Sequence, residues 1–391
     1  MPNWIKQIRL YHIILFFSLI AGWPCVFYLL GWLPHYTVNY TLLFVFCLIW
    51  IIFHPKVSVP HPIIKIFLAN FIMWFIYCVG FRDTSYLTRL LYLAIVFIII
   101  VIENYYNKRA FLYIFIGWIT LQVILGILGF ALTVSGMLEP IFTFEEMDSR
   151  TGYFFGLFTT NTYFPPFVRV AGFFDEPGAF ACWGIFALLL NKLFVNNKKI
   201  EYILLLCLLD TLSIAYIVQA VLYIVLFMGA NRFKLVLIII LSVCSLQLLS
   251  SISPEFKENT FGRFEYDETT KSFVGDNRSD LSAETSKIFI NSPLFGVGAR
   301  NLNMLSERKN QFFGANPYTP LARDGIVGLV ISLLPFFYIL GLRKIDRKYK
   351  YAVLIILVGF LQRPYDPTQL LYPLLIYTFL LYTYFTAKQL K

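Results

Sequence analysis

Long apolar stretches separated by short polar ones recur along almost the whole chain. The longer ones have about 17–25 residues, enough for an α-helix to cross a bilayer core of roughly 30 Å. The pattern predicts an all-α, polytopic membrane protein with about twelve transmembrane helices. The predicted helices are 11–31, 39–53, 63–81, 88–103, 110–134, 178–195, 202–214, 217–230, 235–251, 325–342, 351–362 and 368–386.

Two of the intervals between these helices are too long to be simple connections. Loop A runs from 135 to 178, and loop B runs from 252 to 324. Long loops are usually either functional or disordered. Loop A is rich in Phe and Tyr, which suits packing on the helices or on the membrane interface. We therefore interpret 1–391 as a single membrane domain with two ordered loops.

Loop B contains a predicted helix of its own. Asp280 is suited to the start of that helix, and Ile288 and Phe289 give it an apolar side. The sequence Asn291-Ser292-Pro293 ends it, and Gly296 and Gly298 then allow a tight backbone turn.

The distribution of charge predicts the orientation of the chain. Hydrophobic residues make up 59% of it and charged residues only 14%, with a formal net charge of +10. More than half of the 32 basic residues fall on the side that holds both termini, where Glu103, Glu201 and Asp346 are the only acids. Lys- and Arg-rich short loops face the cytoplasm. We expect a membrane protein whose two termini are cytoplasmic and whose loops A and B lie on the other side of the membrane. Its positive charge then requires no nucleic-acid partner.

Cysteine and histidine residues give no sign of a metal site. All six cysteines lie in predicted helices, and the four histidines lie within the first 61 residues, far from both loops. There is no C-x-x-C sequence, and no cysteine lies in a loop where an oxidising compartment would pair it. We expect no protein-bound metal.

The segment RVAGFFDEPGAF, 169–180, brings a cation and two carboxylates to the start of a predicted helix. Asp175 and Glu176 precede Pro177-Gly178, and carboxylates before a helix N-terminus are favoured by its dipole. Arginine suits bidentate recognition of phosphate. These charges are either solvated loop residues or part of a site for a lipid-linked phosphate. Loop B adds three further arginines: Arg263, Arg278 and Arg300.

Three segments resemble one family of membrane enzymes. RVAGFFDEPGAFA resembles the Arg-x-x-Gly-x-Phe-x-Glu-Pro segment of bacterial oligosaccharide repeat-unit polymerases, the Wzy-type O-antigen and capsule polymerases. NRSDLSAETSKIFINSPLFGVGARN resembles a Pro-Leu-Phe-Gly-Val-Gly signature that these polymerases share with O-antigen ligases. RDGIVGLVISLLPF, 323–336, resembles the start of the helix that follows in the same superfamily.

The resemblance implies a glycosyltransferase that uses no metal and no nucleotide sugar. At the periplasmic face of the bacterial inner membrane, it would transfer a growing glycan from undecaprenyl diphosphate to the non-reducing end of a new lipid-linked repeat unit. The product would be O-antigen, capsule or exopolysaccharide, and loops A and B would be periplasmic. Arginines would stabilise the diphosphate leaving group, and a carboxylate would act as general base. The catalytic candidates carried over are Glu176, Arg169 and Arg278. The substrate-binding candidates are Arg300, Arg263, Asp324 and Asn316, and Asp324 is equally suited to supporting the helix.

One departure from the superfamily pattern favours a polymerase over a ligase. Ligases carry a His-Asn pair shortly before the acidic-Gly-Ile segment, and Ala315-Asn316 stands there in this chain. A flippase or transporter is the alternative of a different class, but it needs charged residues inside the bundle, where the sequence offers mainly Asp210. The expected partners are lipid-linked oligosaccharides, the bilayer, a chain-length regulator and a flippase.

Overall fold

The computed structural model describes residues 10–22, 25–31, 36–54, 58–106, 109–145, 151–165, 167–229, 279–308 and 316–389, with a few shorter pieces between 233 and 313. These residues are mostly helical. Five helical segments are long and apolar enough to cross a membrane: His61–Phe81, Ser85–Tyr106, Ala110–Val134, Pro177–Val195 and Tyr318–Gly341. The chain is a membrane protein.

The helices follow one another with short connections, apart from the two loops. They are α1 (Leu10–Ala21), α2 (Val26–Leu29), α3 (Tyr36–Phe53), α4 (His61–Phe81), α5 (Ser85–Tyr106), α6 (Ala110–Val134), α7 (Pro177–Leu190), α8 (Lys198–Cys207), α9 (Ile214–Phe227), α10 (Ser279–Asn291), α11 (Ala299–Arg308), α12 (Tyr318–Ser332), α13 (Leu334–Gly341), α14 (Arg347–Gln362) and α15 (Leu371–Gln389). A π-helical turn extends α7 to Val195, and a 3₁₀ turn extends α8 to Thr211.

Helical structure lies at eleven of the twelve predicted spans, and 235–251 falls almost wholly outside the described residues. Among the described residues, only five segments meet the length and apolarity of a full span, so the count of twelve stays a prediction. Two boundaries differ from the sequence pattern. The first helix ends at Ala21 rather than Gly31, and α12 begins at Tyr318 rather than Gly325.

One end of the bundle, which we call the loop face, carries loop A and the start of α7. There the Leu371 N–H at the start of α15 donates to the Gly22 carbonyl at 3.1 Å. Cys25 forms an isolated β-bridge with Phe174 of loop A. The ends of α1, α6 and α14 and the starts of α7 and α15 therefore meet at this face.

The other end of the bundle, the opposite face, joins the remaining helix ends. Arg109, before α6, donates from Nη1 to the Phe194 carbonyl at the end of α7, at 3.2 Å. The Tyr382 hydroxyl near the end of α15 donates to Glu103 near the end of α5. Thus α6 runs from the opposite face to the loop face, and α7 returns.

The core of the bundle is built around α7 and α15. Every described residue of α7 except Gly178 is buried, as is every residue of α15 from Leu371 to Thr383. The Trp183 and Tyr372 rings join the two helices with centroids 4.7 Å apart. Since lipid is as apolar as these side chains, close packing rather than removal from water holds such helices together.

Loop A folds into short antiparallel strands. They are β1 (Phe142–Glu145), β2 (Thr151–Phe154), β3 (Thr159–Thr160), β4 (Tyr163–Phe164) and β5 (Phe167–Val168), paired as β1-β2-β3 and β4-β5. Phe155 and Phe158 stack at 4.7 Å, and both are buried. The Phe158 ring occupies the space beside Gly129 of α6. The aromatic residues of loop A therefore pack on the helices, one of the two arrangements that their number suggested.

The described part of loop B contains a strand pair, β6 (Tyr266–Asp267) with β7 (Ser272–Phe273), and the helices α10 and α11. The predicted helix is confirmed as α10, which ends at Asn291. Ile288 and Phe289 pack against a small buried cluster formed by Leu302, Phe313 and Ala322. This cluster fixes loop B on the start of α12.

Candidate functional site

The start of α7 places Glu176 at the loop face. Glu176 is the N-cap residue, with extended backbone (φ −142°, ψ 152°), and its carbonyl accepts the first helical hydrogen bonds. Its side chain makes no capping hydrogen bond. The carboxylate instead forms an ion pair with the Arg363 guanidinium, and the two side chains are 24% and 13% exposed. Glu176 is therefore held by a partner from another helix and still reachable from the loop face.

Arg363 is the residue that sequence reasoning missed most clearly. It follows the last residue of α14, in the short connection RPYDPTQ to α15. The guanidinium lies along the first turn of α7, with Nη2 3.8 Å from the position that a Cβ on Gly178 would take. The sequence signal was an arginine directly before one proline and an aspartate directly before the next, in a connection much shorter than loops A and B.

Asp175 is placed differently from its neighbour. Its Oδ1 accepts the backbone N–H of Glu176 at 3.0 Å, and its side chain is partly buried. The two adjacent acids thus have different contacts. Asp175 accepts a backbone hydrogen bond from Glu176, and Glu176 forms an ion pair with Arg363.

A second group of charges surrounds Asp324 of α12. Its Oδ1 accepts Arg89 Nη1 at 2.8 Å and the Tyr86 hydroxyl at 3.1 Å. Its Oδ2 accepts Arg323 Nε at 2.9 Å. The Asp324 side chain is only 3% exposed. A buried carboxylate needs such partners to remain charged, and this geometry favours helix support over contact with a substrate.

Arg89 is clamped between two aromatic rings as well as paired. Its guanidinium carbon lies 4.4 Å from the ring centroids of both Trp74 and Tyr86. Cation–π contacts of this kind stabilise a desolvated arginine. Arg89 is therefore fixed from three sides and holds Asp324 in one position.

Arg323 links this buried group to the connection that carries Arg363. Its Nη1 lies 3.1 Å from Asp366 Oδ1, while its Nε holds Asp324. Burial raises the pKa of the Asp366 carboxyl, but Arg323 and hydrogen bonds from Thr368 outweigh it, so the pKa lies below its ordinary value. The charges thus form a series, Arg89–Asp324–Arg323–Asp366, that ends three residues from Arg363.

Two of the sequence motifs lie against each other at this point. The N–H groups of Val297 and Gly298 donate to the Ala322 and Arg323 carbonyls, both at 2.9 Å. In return the N–H groups of Ile326 and Val327 donate to Pro293 and Leu294. The segment Pro-Leu-Phe-Gly-Val-Gly therefore hydrogen-bonds to the backbone on both sides of Gly325. These bonds replace the helical hydrogen bonds that are missing where α12 is interrupted.

Arg169 lies in loop A with partners of its own. Its Nε donates to the Thr211 carbonyl at 3.0 Å, and its Nη2 donates to the Leu212 carbonyl at 3.4 Å. These carbonyls lie in the turn between α8 and α9. Arg169 thus anchors loop A to that turn, and it has to release these carbonyls in order to bind a phosphate with the same edge.

Of the other four predicted site residues, the structure describes Arg300 and Asn316. The backbone N–H of Arg300 donates to Asp83 Oδ2 at 2.8 Å, and its side chain is exposed at the loop face. Asn316 is buried and accepts hydrogen bonds from Thr285 and from the Tyr318 N–H, which is a structural role. Arg263 and Arg278 lie outside the described residues.

The expectation of little charge inside the bundle does not hold. Arg89, Asp324, Glu103 and Glu201 are buried in addition to Asp210. Sequence position alone put them near helix ends, where they were assigned to the aqueous sides. The first four of these can be buried because they form ion pairs or hydrogen bonds. Asp210 differs, since both of its carboxylate oxygens lack a hydrogen-bond partner among the described residues.

Comparison with known proteins gives no family for this chain. No protein-family model matches it, and no curated protein or solved structure shows significant similarity to it. The candidate site therefore depends on its geometry: a reachable ion pair between Glu176 and Arg363, next to a buried and rigid series of charges.

Proposed function

We propose that the protein polymerises lipid-linked oligosaccharide repeat units at the loop face of the bacterial inner membrane. The observation that carries the proposal is the pair formed by Glu176 and Arg363. It joins a carboxylate to an arginine at a helix start in a membrane bundle, within reach of a lipid-borne substrate. The resemblance of three segments to repeat-unit polymerases supplies the reaction class.

In the proposed reaction, a hydroxyl at the non-reducing end of a new repeat unit attacks the anomeric carbon of the growing glycan. A glycosidic C–O bond forms as the bond from that carbon to the undecaprenyl diphosphate oxygen breaks. The hydroxyl proton passes to the Glu176 carboxylate, and the lipid diphosphate leaves as an anion. General-base assistance of this kind contributes about 10²–10⁴-fold in rate.

In the proposed reaction, Arg363 couples binding of the lipid diphosphate to activation of the general base Glu176. A diphosphate carries more charge than one carboxylate and accepts the same bidentate fork. When it draws Arg363 away from Glu176, the carboxylate becomes free to accept the proton. Arg300, exposed at the same face, is suited to the diphosphate as well, and Arg278 keeps the leaving-group role that the resemblance implies.

Asp324 and Arg323 act as positioning residues in this scheme. Arg323 holds Asp366, and Asp366 lies with Arg363 in the connection 363–370 between α14 and α15. The buried series of charges therefore sets the place of the connection without touching a substrate.

A lipid-linked oligosaccharide flippase is the second candidate function. The observation in its favour is the buried charge of Arg89 and Asp324 within the bundle, a feature typical of transport pathways. In the structure these two charges are paired with each other and packed by aromatic rings, which suits a fixed support better than a moving gate.

The decisive experiment uses the purified protein in liposomes with lipid-linked repeat units as its only substrate. A polymerase produces a ladder of lengthened glycans, whereas a flippase moves units and produces none. In cells, deletion of the gene should leave single repeat units on the lipopolysaccharide core if the product is O-antigen, and loss of a ligase would leave bare core.

Glu176→Gln tests the role of the carboxylate in the same assay. Gln keeps the size of the side chain but cannot accept the proton, so chain extension should fall by roughly 10²-fold or more. Asp175→Asn is the matched control, because Asp175 Oδ1 accepts the Glu176 N–H and an asparagine oxygen can accept it as well. Near-native ladders from Glu176→Gln at equal protein level would remove Glu176 from the mechanism.

A further inference from the structure

A cavity of about 300 Å³ lies at the opposite face, far from the candidate site. It is bounded by the ends of α5 and α15 and by Arg109 before α6. Its wall combines apolar side chains, such as Phe385, with Lys388 and Glu103. The volume is at the lower end of the range, roughly 300–1,000 Å³, that small-molecule sites occupy.

The acid in this cavity is already satisfied. Glu103 is buried, and its Oε1 accepts the Phe111 N–H at 2.9 Å. Its Oε2 accepts the hydroxyl of Tyr382. Each oxygen thus already has a hydrogen-bond donor from the protein, and no other acid contributes to the described wall of the cavity.

The two cations in the cavity have donors to spare. Arg109 uses Nη1 for the Phe194 carbonyl, and its guanidinium stands 5.8 Å from the Phe194 ring centroid. Within the described part of the chain, its Nε and Nη2 have no hydrogen-bond partner. Lys388 is exposed and has neither an ion pair nor a hydrogen bond among the same residues. A cavity with two underused cations and a satisfied acid attracts an anion.

We propose that this cavity binds the phosphate of an anionic membrane-lipid headgroup. Arg109 offers a planar fork and Lys388 a point charge, the combination that recognises phosphate oxygens. The apolar wall, which includes Leu381 and Phe385, suits the glycerol and the first methylenes of the acyl chains. Basic pockets between membrane helices are known to take such headgroups.

The position of the cavity argues for a lipid over a free anion. It lies at the ends of helices that cross the bilayer, where phospholipid phosphates reside. With the orientation predicted from charge, this is the cytoplasmic leaflet. The site is separate from the loop face, so the proposal does not depend on the polymerase reaction.

The test is thermal unfolding of the full-length protein, freed of lipid in a neutral detergent, as phosphatidylglycerol is titrated in. We expect the unfolding temperature to rise with phosphatidylglycerol and to rise less with phosphatidylcholine, whose headgroup has no net charge. Lys388→Gln and Arg109→Gln should each weaken the apparent lipid affinity by about tenfold, the effect of losing one charge-assisted contact.

Lys344→Gln is the matched control, because it removes an exposed cation from the connection between α13 and α14, outside the cavity wall. It should leave the lipid response unchanged. If Arg109→Gln fails to fold, Arg109→Lys keeps the charge but loses the fork and should show an intermediate affinity.

Two results would overturn the proposal. An equal response to phosphatidylglycerol in the wild type and in Lys388→Gln and Arg109→Gln would show that the lipid acts elsewhere. An equal response of the wild type to inorganic phosphate and to phosphatidylglycerol would make the cavity a site for free phosphate rather than for a lipid.

Discussion

The Glu176–Arg363 pair combines a structural and a chemical role in two side chains, and these roles can be separated. Arg363→Gln removes the guanidinium that forms an ion pair with the partly buried Glu176 carboxylate, so both stability and polymer should decrease. The exchanged variant Glu176→Arg with Arg363→Glu restores an ion pair but moves the carboxylate to the end of α14. We expect its unfolding temperature to recover toward that of the wild type while its ladder stays absent, as measured by thermal unfolding and by gel.

A charge-exchanged variant with normal polymer would contradict the assignment of Glu176 as the base. It would show that the site needs the pair itself and not a carboxylate at the head of α7. Arg363→Lys provides an intermediate test, since Lys keeps the charge and loses the bidentate fork.

Asp366 gives the loop face a predictable response to acid. Its pKa in the folded protein lies below its ordinary value of 3.8, because Arg323 and Thr368 outweigh the effect of burial. A lowered pKa adds stability above pH 3.8, and that stability is lost as the pH falls through the lowered value. Asp366→Asn should therefore lower the unfolding temperature at pH 7 and flatten its decline below about pH 4.

The acid response should be reduced by Asp366→Asn and not abolished. The pKa of Asp83 is also lowered, because hydrogen bonds from the Ser85 and Arg300 N–H groups overcome the effect of its burial. A variant whose stability falls as steeply with acid as that of the wild type would show that Arg323 and Asp366 are not paired in solution.

Sequence reasoning found Glu176 but not its partner, for a physical reason. The position of Glu176 before Pro177 and an apolar run is a local signal. Arg89 and Asp324 are 235 positions apart in the chain, and only the tertiary fold brings them together. Periodicity and composition carry no information about such pairs, so the buried series of charges was not predictable.

Among the elements, helix α12 has an interruption that requires one particular residue, the glycine at position 325. Gly325 has φ 67° and ψ −176°, a backbone region that is essentially confined to glycine. A Cβ there would lie 2.3 Å from the Leu294 carbonyl oxygen. The helix therefore breaks where the Pro-Leu-Phe-Gly-Val-Gly segment crosses it, and the break presents Asp324 to Arg89 and Arg323.

Gly325→Ala should destabilise the protein by at least about 1–3 kcal/mol, the cost of a residue in such a backbone region. Gly80→Ala is the control, because Gly80 is helical and a Cβ there would meet no atom within 4 Å. It should be neutral or slightly stabilising. Equal unfolding temperatures for the two variants would indicate that α12 is continuous in solution.

The same break explains an error in the sequence-based boundary. Hydropathy placed the start of the helix at Gly325, where the apolar run begins, and treated Tyr318 to Asp324 as loop. Those residues are helical in the structure, and their charged members Arg323 and Asp324 are buried with partners, whereas hydropathy counts them only as unfavourable charge. In α10, by contrast, the cap, apolar side and terminating Asn-Ser-Pro are all local, and the prediction was right.

For the whole molecule, the pattern of apolar segments predicted helix positions well because membrane helices need only length and apolarity. It did not predict the folded strands of loop A, whose pairs are two to four residues long. For the aromatic residues of loop A it left two arrangements open, on the helices or on the membrane interface, and the contact of Phe158 with α6 decides for the helices. These features depend on contacts between distant segments.

The orientation of the bundle is the prediction on which the proposed function depends most. In the structure, the end of α7 meets Arg109 before α6 and the Tyr349 ring at the start of α14, so these helix ends lie at the opposite face. Loop A and α11 lie at the loop face, where Cys25 pairs with Phe174 and the Arg300 N–H donates to Asp83. Positive charge predicts that the opposite face is cytoplasmic. Reporter fusions after Lys108, Lys199 and Lys348 should therefore report the cytoplasm, and fusions within 140–165 and 260–310 should report the periplasm.

The three cytoplasmic fusions must agree with one another if the contacts at the opposite face are correct, whatever the orientation. A cytoplasmic signal from 260–310 would place Glu176 and Arg363 on the wrong side for periplasmic repeat units and end the polymerase proposal, while leaving the fold intact.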